Sequence, residues 1–258
     1  MKMKVNDILL WIDSIAPFAS QAEYDNSGLL VGDRSADVNR VLFALDVTEN
    51  VLNEAEALNA DLLITHHPLM FNGIKRLTED DYEAHLIRRM VHLGISHIAA
   101  HTNLDQSVGG TNDTLAALLG LSDSEGTGYI RAGMLPGPFS AAQLCEYLSK
   151  KLNTAVRCFG DPEQTCHKLA ICTGGGSSEW TEARSLGADA FLTGELRHNH
   201  ALEATWNGMI CFECGHFATE EPGIFALADA LQNYANTVKW NLDIFRSGVG
   251  SYNRPAQP

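Results

Sequence analysis

The chain has 258 residues, of which 45% are hydrophobic and 19% are charged, and its formal net charge is −14. This composition is that of a globular protein with a substantial core, organised as one large domain or two small ones. The acidic balance argues against a nucleic-acid partner, because affinity for phosphates depends on Lys and Arg, and no apolar run approaches the roughly 18 residues that span a membrane.

The first third of the chain alternates between helix and strand patterns. Apolar residues at helical spacing predict an amphipathic helix over residues 3–16, and residues 25–28 (DNSG) predict a turn before a short strand. A buried strand is predicted over residues 40–47, and the helix that follows has Thr48 at its N-cap. A second buried strand ends at Ile64, so this region predicts a βαβ unit.

The second half of the chain repeats the pattern of this unit at a constant offset of 128 positions. Residues 40–65 align without a gap with residues 168–193, and Asp61 and Asp189 are among the shared residues. We interpret the match as an internal duplication. The alternative is chance similarity between two generic βαβ patterns.

A duplicated βαβ unit predicts an α/β fold built of two related lobes. We expect residues 1–125 to form the first lobe and residues 126–245 the second. The segment 122–138 is rich in Gly, Ser and Pro and marks the expected boundary between the halves. Residues 246–258 have little apolar content and are expected to form a flexible tail.

Histidines and carboxylates collect where the predicted strands end. Two histidines follow the second strand of the first copy, and two later strand-like runs each end in a histidine with a carboxylate four residues beyond it. The candidate metal ligands are His66, His67, Asp105, His216 and Glu220, with His101 as an orienting residue or an extra ligand. Nitrogen and oxygen donors without thiolate suit Zn, Fe, Mn or Co. The alternative is that each histidine simply caps a buried strand.

Glutamates near the ends of the later strands have two different predicted roles. Glu220, at a loop-to-helix junction before Pro222, could bridge two metal ions through both oxygens. Glu195 and His198 follow the matching strand end of the second copy. They are candidates for general acid and base, because proton transfer needs groups beside a metal but not bound to it. The alternative is an orienting or surface pair.

Two further motifs have structural explanations that we prefer. The glycines at 174–176 follow a strand and could hold a phosphate or carboxylate, but a tight βα turn is the favoured reading. Cys211 and Cys214 lie three apart in a strand and therefore face opposite sides, so they predict neither a zinc nor a redox pair. Six cysteines are too few for a disulfide scaffold at this length, and a cytoplasmic location with reduced thiols is expected.

Five separated motifs are similar to those of one known family. They are residues 25–29 (DNSGL), 65–68 (THHP), 101–105 (HTNLD), 193–195 (TGE), and Gly215 and His216 with Glu220. Over residues 5–245 the chain resembles the GTP cyclohydrolase I type 2 homologue family, also known as the Nif-three-like or DUF-thirty-four family. The resemblance implies a dinuclear metal centre between two α/β lobes, in a subunit of a toroidal homohexamer whose sites face an internal cavity. It places the ligands at His66, His67, Asp105, His216 and Glu220, with Glu220 as the bridge.

The resemblance and the candidate ligands together predict a metal-dependent hydrolase with two divalent ions per subunit. Its substrate would be a small molecule, with a GTP-like purine nucleotide as the candidate, and Glu195 or His198 would transfer protons as the imidazole ring opens. Local positive charge for the phosphates could come from Arg131, Arg184 or Arg197. The alternative function is a metal-handling or regulatory protein that stores, delivers or senses metal without turnover.

Overall fold

The structure is a computed structural model that describes residues 2–126 and 128–250. Its helices are α1 Val5–Ile15, α2 Glu49–Leu58, α3 Tyr82–Leu93, α4 Thr102–Gln106, α5 Thr111–Leu118, α6 Ala141–Leu152, α7 Trp180–Ser185, α8 His198–Trp206 and α9 His216–Val238. Its strands are β1 Met3–Lys4, β2 Gly28–Val31, β3 Asp37–Val38, β4 Arg40–Ala44, β5 Leu62–Thr65, β6 Ser96–Ala99, β7 Ser122–Glu125, β8 Arg131–Ser140, β9 Arg157–Phe159, β10 Thr165–Cys172, β11 Ala190–Thr193, β12 Ile210–Glu213 and β13 Asp243–Arg246. The predicted α/β class is confirmed. The chain divides into two compact units, a first unit of residues 2–108 with 224–250 and a second unit of residues 109–223.

The first unit is built on a five-stranded sheet in the order β13-β4-β5-β6-β2, in which only β2 runs antiparallel to its neighbour. Leu42 and Leu63 pack on one face of this sheet with residues of α2 and α3. Phe43 and Ile64, which alternate with them, are also fully buried. Because both faces are covered, β4 and β5 are continuous apolar runs rather than alternating ones.

The second unit is built on a six-stranded sheet in the order β7-β8-β10-β11-β12-β9, with β10, β11 and β12 parallel. Alternate residues of β11 enter two separate cores: Leu192 packs with residues of α5 and α6, and Phe191 packs with residues of α7 and α8. Cys211 and Cys214 belong to these two different cores. The prediction that they face opposite sides is therefore confirmed.

The sequence repeat is also present in the hydrogen bonding of the two sheets. The β10–β11 ladder has the register of the β4–β5 ladder, shifted by 128 positions. Asp61 accepts hydrogen bonds from the backbone amides of Asn39 and Arg40, with N···O distances of 2.7 and 2.9 Å. Asp189 accepts hydrogen bonds from the two equivalent amides of the second copy, at 3.0 and 3.2 Å. The shared aspartates therefore have the same structural role in both units.

The segment that we expected to separate the halves is part of a sheet. Residues 122–138 contribute β7 and most of β8, which pair in antiparallel fashion. Gly133 allows this pairing, because a Cβ at this position would lie 2.9 Å from both Leu121 Cβ and the Ser122 carbonyl oxygen. Gly133 thus marks a close approach of two chain segments rather than a linker.

The last helix begins earlier than expected. α9 starts at His216 and continues through Pro222, so Glu220 lies inside a helix and not at a loop-to-helix junction. Because Pro222 has no N–H to donate, the helix lacks one backbone hydrogen bond at this position. Because residues four apart share a face of a helix, this extension places Glu220 beside His216.

The end of the chain is described as far as residue 250. Within it, Ser247 Oγ and the amide of Gly248 both donate hydrogen bonds to the carboxylate of Glu54 in α2. The remainder of the expected tail, residues 251–258, lies outside the described residues. Among the described residues, no helix combines the length and apolar content that crossing a membrane requires.

Candidate metal centre

The end of β5 presents two adjacent imidazoles in the first unit. His66 is buried, and its Nδ1 donates a hydrogen bond to the carbonyl oxygen of Ala100, 2.9 Å away, just beyond the end of β6. His67 Nδ1 donates to Asp46 Oδ1 at 2.6 Å, just beyond the end of β4. Since the Nδ1 atoms are engaged, each ring offers its Nε2 atom to a metal.

The residues around α4 bring an imidazole and a carboxylate to the same place. Asp105 Oδ1 lies 3.4 Å from His66 Nε2. The ring centroid of His101 lies 5.1 Å from that of His66 and 5.5 Å from that of His67. One ligand nitrogen from each of the three rings lies within 4.8 Å of the other two, a spacing at which they could hold a metal ion.

Asp25 fixes the position of His101. Its fully buried carboxylate accepts a hydrogen bond from His101 Nδ1 at 2.8 Å. The same carboxylate accepts hydrogen bonds from the amides of Asn26 and Thr102 at 2.7 and 3.1 Å and from Ser27 Oγ at 3.0 Å. Burial alone would raise the pKa of Asp25, but the hydrogen bonds from His101 and Thr102 outweigh it and hold the pKa well below its usual range. Asp25 is therefore a fixed anion.

The second unit carries its own pair of candidate ligands in the first turns of α9. His216 Nε2 lies 3.0 Å from Glu220 Oε2, and His216 Nδ1 donates to Glu195 Oε1 at 3.0 Å. The Glu220 side chain is 5% exposed and the His216 side chain is 35% exposed, so the carboxylate is buried while the imidazole is accessible. A carboxylate buried in this way requires compensation by a cation or a proton.

Two glycines, Gly174 and Gly194, leave the space that His216 and Glu220 occupy. A Cβ at Gly174, whose φ is 60°, would overlap the Glu220 carboxylate and approach His216 Nε2. A Cβ at Gly194 would lie 2.8 Å from both His216 Cα and Thr219 Oγ1. The glycine-rich segment after β10 is thus a tight turn packed against α9, which is the reading favoured from the sequence.

The two residues predicted to transfer protons have different surroundings. Glu195 contacts a candidate ligand, because its carboxylate holds His216 Nδ1. His198 is the exposed first residue of α8. The structure therefore brings Glu195, but not His198, into contact with the predicted ligands.

The arginines considered for phosphate binding are not equally available. Arg131 is buried, where its guanidinium pairs with Asp113 and donates to two backbone carbonyls, so its role is structural. Arg184 donates to the side chain of Asn207. Arg184 and Arg197 are both exposed, and Arg197 lies at the N-cap of α8.

Asp46 is a functional candidate that the sequence patterns did not single out. Its carboxylate accepts a hydrogen bond from His67 Nδ1 just beyond the end of the neighbouring strand β4. An acidic residue at the carboxyl end of a strand in a parallel sheet is the sequence feature that could have identified it. Among the described residues, neither group of side chains spaced to hold a metal includes a cysteine, and burial raises the pKa of Cys211 to about 12. The donor set is therefore imidazole and carboxylate, which fits Zn, Fe, Mn or Co.

An α/β fold whose strand ends present imidazoles, each held through Nδ1 by a carboxylate or a carbonyl, defines a class of candidate metal-binding proteins. Within that class, this chain belongs to the Duf34/NIF3 (NGG1p interacting factor 3) family, whose model matches residues 3–251. The family predicted from the five sequence motifs is confirmed.

Individual relatives match over almost their whole length. A "GTP cyclohydrolase 1 type 2 homolog" from Campylobacter jejuni is 35% identical and aligns over 90% of this chain and 93% of its own. The protein of the same name from Clostridium perfringens is 33% identical, over 89% of this chain and 92% of its own. The crystal structure of a hypothetical protein from Staphylococcus aureus is 27% identical, with a TM-score of 0.94 and complete coverage of both chains.

Proposed function

We propose that this protein is a dinuclear metal-dependent hydrolase. The observation that carries the proposal is that the Nδ1 atoms of His66, His67 and His216 all make hydrogen bonds. These bonds fix the three rings and leave the Nε2 atom of each as the one that would bind a metal. These histidines, together with Asp105 and Glu220, would hold two divalent ions, with Glu220 as the bridge. Preoriented donors support metal binding, because no rearrangement of the rings is needed when the ions enter.

A bound pair of divalent ions would supply acidified water and a Lewis acid to polarise the substrate. The chain's own residues do the positioning. Asp46 and Glu195 orient His67 and His216, and Gly174 leaves room for Glu220. The Glu195 side chain is 65% exposed, so it is open to a substrate, and we propose that it moves a proton during the reaction. His198 remains the second candidate for proton transfer.

The substrate that we propose is a GTP-like purine nucleotide whose imidazole ring is opened by water. The name of the Campylobacter jejuni and Clostridium perfringens relatives supports this class of substrate. A net charge of −14 repels a polyphosphate unless a local cation compensates, and exposed Arg197 is the side chain proposed for that role. Arg197→Ala should raise KM for the nucleotide, and an unchanged KM would remove Arg197 from the proposal.

We also propose a toroidal homohexamer in the cytoplasm, as the family resemblance implies. Large apolar side chains on the surface of the described chain support self-association, since Trp206 and Val108 are 91% and 94% exposed. Light scattering should give a mass six times that of the 28.1 kDa chain. A mass equal to that of one chain would contradict the hexamer.

The deciding experiment measures metal content by plasma mass spectrometry in protein purified without added metal. Wild type should carry close to two ions per chain, and Glu220→Ala should carry about one fewer. Metal-loaded wild type should then release formate from GTP, and Glu195→Gln should lower kcat. Bound metal that exchanges readily without turnover would favour the metal-handling alternative. No bound metal, even after incubation with Zn, Mn and Fe, would contradict both functions.

A further inference from the structure

His101 is built like the candidate ligands but is not one of the five. Its Nδ1 donates to Asp25 at 2.8 Å, as His67 Nδ1 does to Asp46 at 2.6 Å and His216 Nδ1 does to Glu195 at 3.0 Å. A carboxylate on one ring nitrogen fixes the tautomer and leaves the other nitrogen as an acceptor with raised basicity, which is the arrangement found behind metal-bound histidines.

The direction in which His101 faces is set by its neighbours. Its ring lies against His66 and His67, and the three rings offer ligand nitrogens within 4.8 Å of one another. Phe71 covers another side of the ring, with its centroid 5.6 Å away in an edge-on arrangement. Since Nδ1 is engaged by Asp25, the nitrogen that His101 offers to this cluster is Nε2.

Asp25, which orients His101, is itself fixed by several hydrogen bonds, so its contact with His101 is not an isolated one. Asp25 has no exposed side-chain surface and accepts hydrogen bonds from Asn26, Ser27 and Thr102 as well as from His101. These hydrogen bonds hold the Asp25 carboxylate in one position, and the carboxylate in turn fixes the orientation of the His101 ring beside those of His66 and His67.

We propose that His101 is a further metal ligand and that the first unit by itself holds one of the two ions. Its donors would be three imidazoles and a carboxylate, from His66, His67, His101 and Asp105. Four such donors suffice for a closed tetrahedral site or for most of a larger coordination sphere. This inference rests on the proposed metal centre, and it makes the two ions unequal. One ion would keep four donors of the first unit when the bridging Glu220 is removed, whereas the other depends on the donors of α9.

The test removes the donors of the second unit first. The double variant His216→Ala/Glu220→Ala should retain about one Zn²⁺ per chain after gel filtration. Adding His101→Ala should weaken Zn²⁺ binding by at least roughly tenfold in competition with a chelator, which is the scale found for disrupted metal sites. Adding His92→Ala instead is the matched control, because His92 is an exposed histidine on α3 of the same unit, and binding should not change.

Two further variants keep the proposal testable if His101→Ala fails to fold. His101→Gln can still donate a hydrogen bond to Asp25 but has no imidazole, so Co²⁺ bound to the double variant should lose absorption intensity and shift in wavelength. Asp25→Asn should weaken Zn²⁺ binding roughly 10- to 100-fold. Equal Zn²⁺ affinity with and without His101, or no metal in the double variant while wild type binds two ions, would overturn the proposal. Absence of metal from wild type would instead refute the metal centre itself.

Discussion

Position 174 has room only for a glycine. A Cβ there would overlap the Glu220 carboxylate, and the φ of 60° is a conformation that other residues adopt at a cost of about 1–2 kcal/mol. Gly174→Ala should therefore displace Glu220 and weaken metal binding by roughly 10- to 100-fold, the range seen when the surroundings of a ligand are disturbed. Isothermal titration with Zn²⁺ checks this value.

The neighbouring glycine provides the control for this prediction. A Cβ at Gly175 would meet no atom within 4 Å. Gly175→Ala should therefore bind Zn²⁺ as wild type does, although it introduces the same methyl group one residue along the same turn. Equal affinity of the two variants would show that the space beside Glu220 does not matter.

His97 links stability to pH. It is fully buried on β6, its Nε2 lies 2.7 Å from Thr65 Oγ1, and its Nδ1 has no hydrogen-bond partner among the described residues. Burial lowers the pKa of His97 from 6.5 to about 3, so the folded protein keeps this ring neutral while the unfolded chain takes up a proton. Stability is fully present above the unfolded pKa and is lost as the pH falls from 6.5 towards about 3, by up to about 1.4 kcal/mol per pH unit.

The experiment compares how steeply the free energy of unfolding changes with pH in two proteins, rather than the free energies themselves. Urea unfolding of metal-free wild type and metal-free His97→Gln at about pH 7 and about pH 5 measures the proton uptake of each. The variant should be less stable at the higher pH but should lose less stability on acidification. The other histidines are the same in both proteins, so parallel slopes would mean that His97 does not stay neutral in the folded state.

At the scale of whole elements, an aspartate in each copy of the repeated unit links its second strand to the backbone of the strand before it. Asp61 accepts hydrogen bonds from the amides of Asn39 and Arg40 at the start of β4, and Asp189 accepts them from the amides of His167 and Lys168 in β10. Asp61→Ala should lower the free energy of unfolding by about 1–3 kcal/mol, because the amides lose a charged acceptor. Hydrogen exchange should accelerate at residues 39 and 40 in Asp61→Ala and at residues 167 and 168 in Asp189→Ala. The Asn variants, which keep an acceptor oxygen, should recover part of the loss.

The elements that could be predicted from the sequence are those whose signals are local. Thr48 caps α2 through the amide of Val51, three residues away, and the apolar runs of β4 and β5 are readable because both faces are buried. The pairing of β7 with β8 in segment 122–138 was not recognised from the sequence, because glycine in a paired strand and glycine in a linker look the same until the partner strand is known. The start of α9 was missed because Pro222 is a helix breaker by propensity, whereas the helix contains it.

The same contrast applies to the candidate site. The histidines were identifiable because the chain has only 10 of them and several lie at the ends of strands with a carboxylate nearby in the sequence. Their orientation was not, because it depends on contacts distant in sequence: Asp46 lies 21 residues from His67, and Asp25 lies 76 residues from His101. Such pairs are set by the packing of strands and loops, which no local pattern records.

For the whole molecule, the proposed ions should act as ligands that bind only the folded state. At a free metal concentration about 100 times Kd each ion adds about 2.7 kcal/mol to the free energy of unfolding, so two ions add about 5.4 kcal/mol. In a chain of this size each kcal/mol shifts Tm by roughly 2–4 °C, so chelation of both ions should lower Tm by about 11–22 °C. Differential scanning calorimetry with and without a chelator measures the shift, and Glu220→Ala should show a smaller one. Since the first unit is proposed to keep one ion, Glu220→Ala should retain part of the Tm shift. Complete loss of the shift in this variant would mean that binding of both ions depends on Glu220.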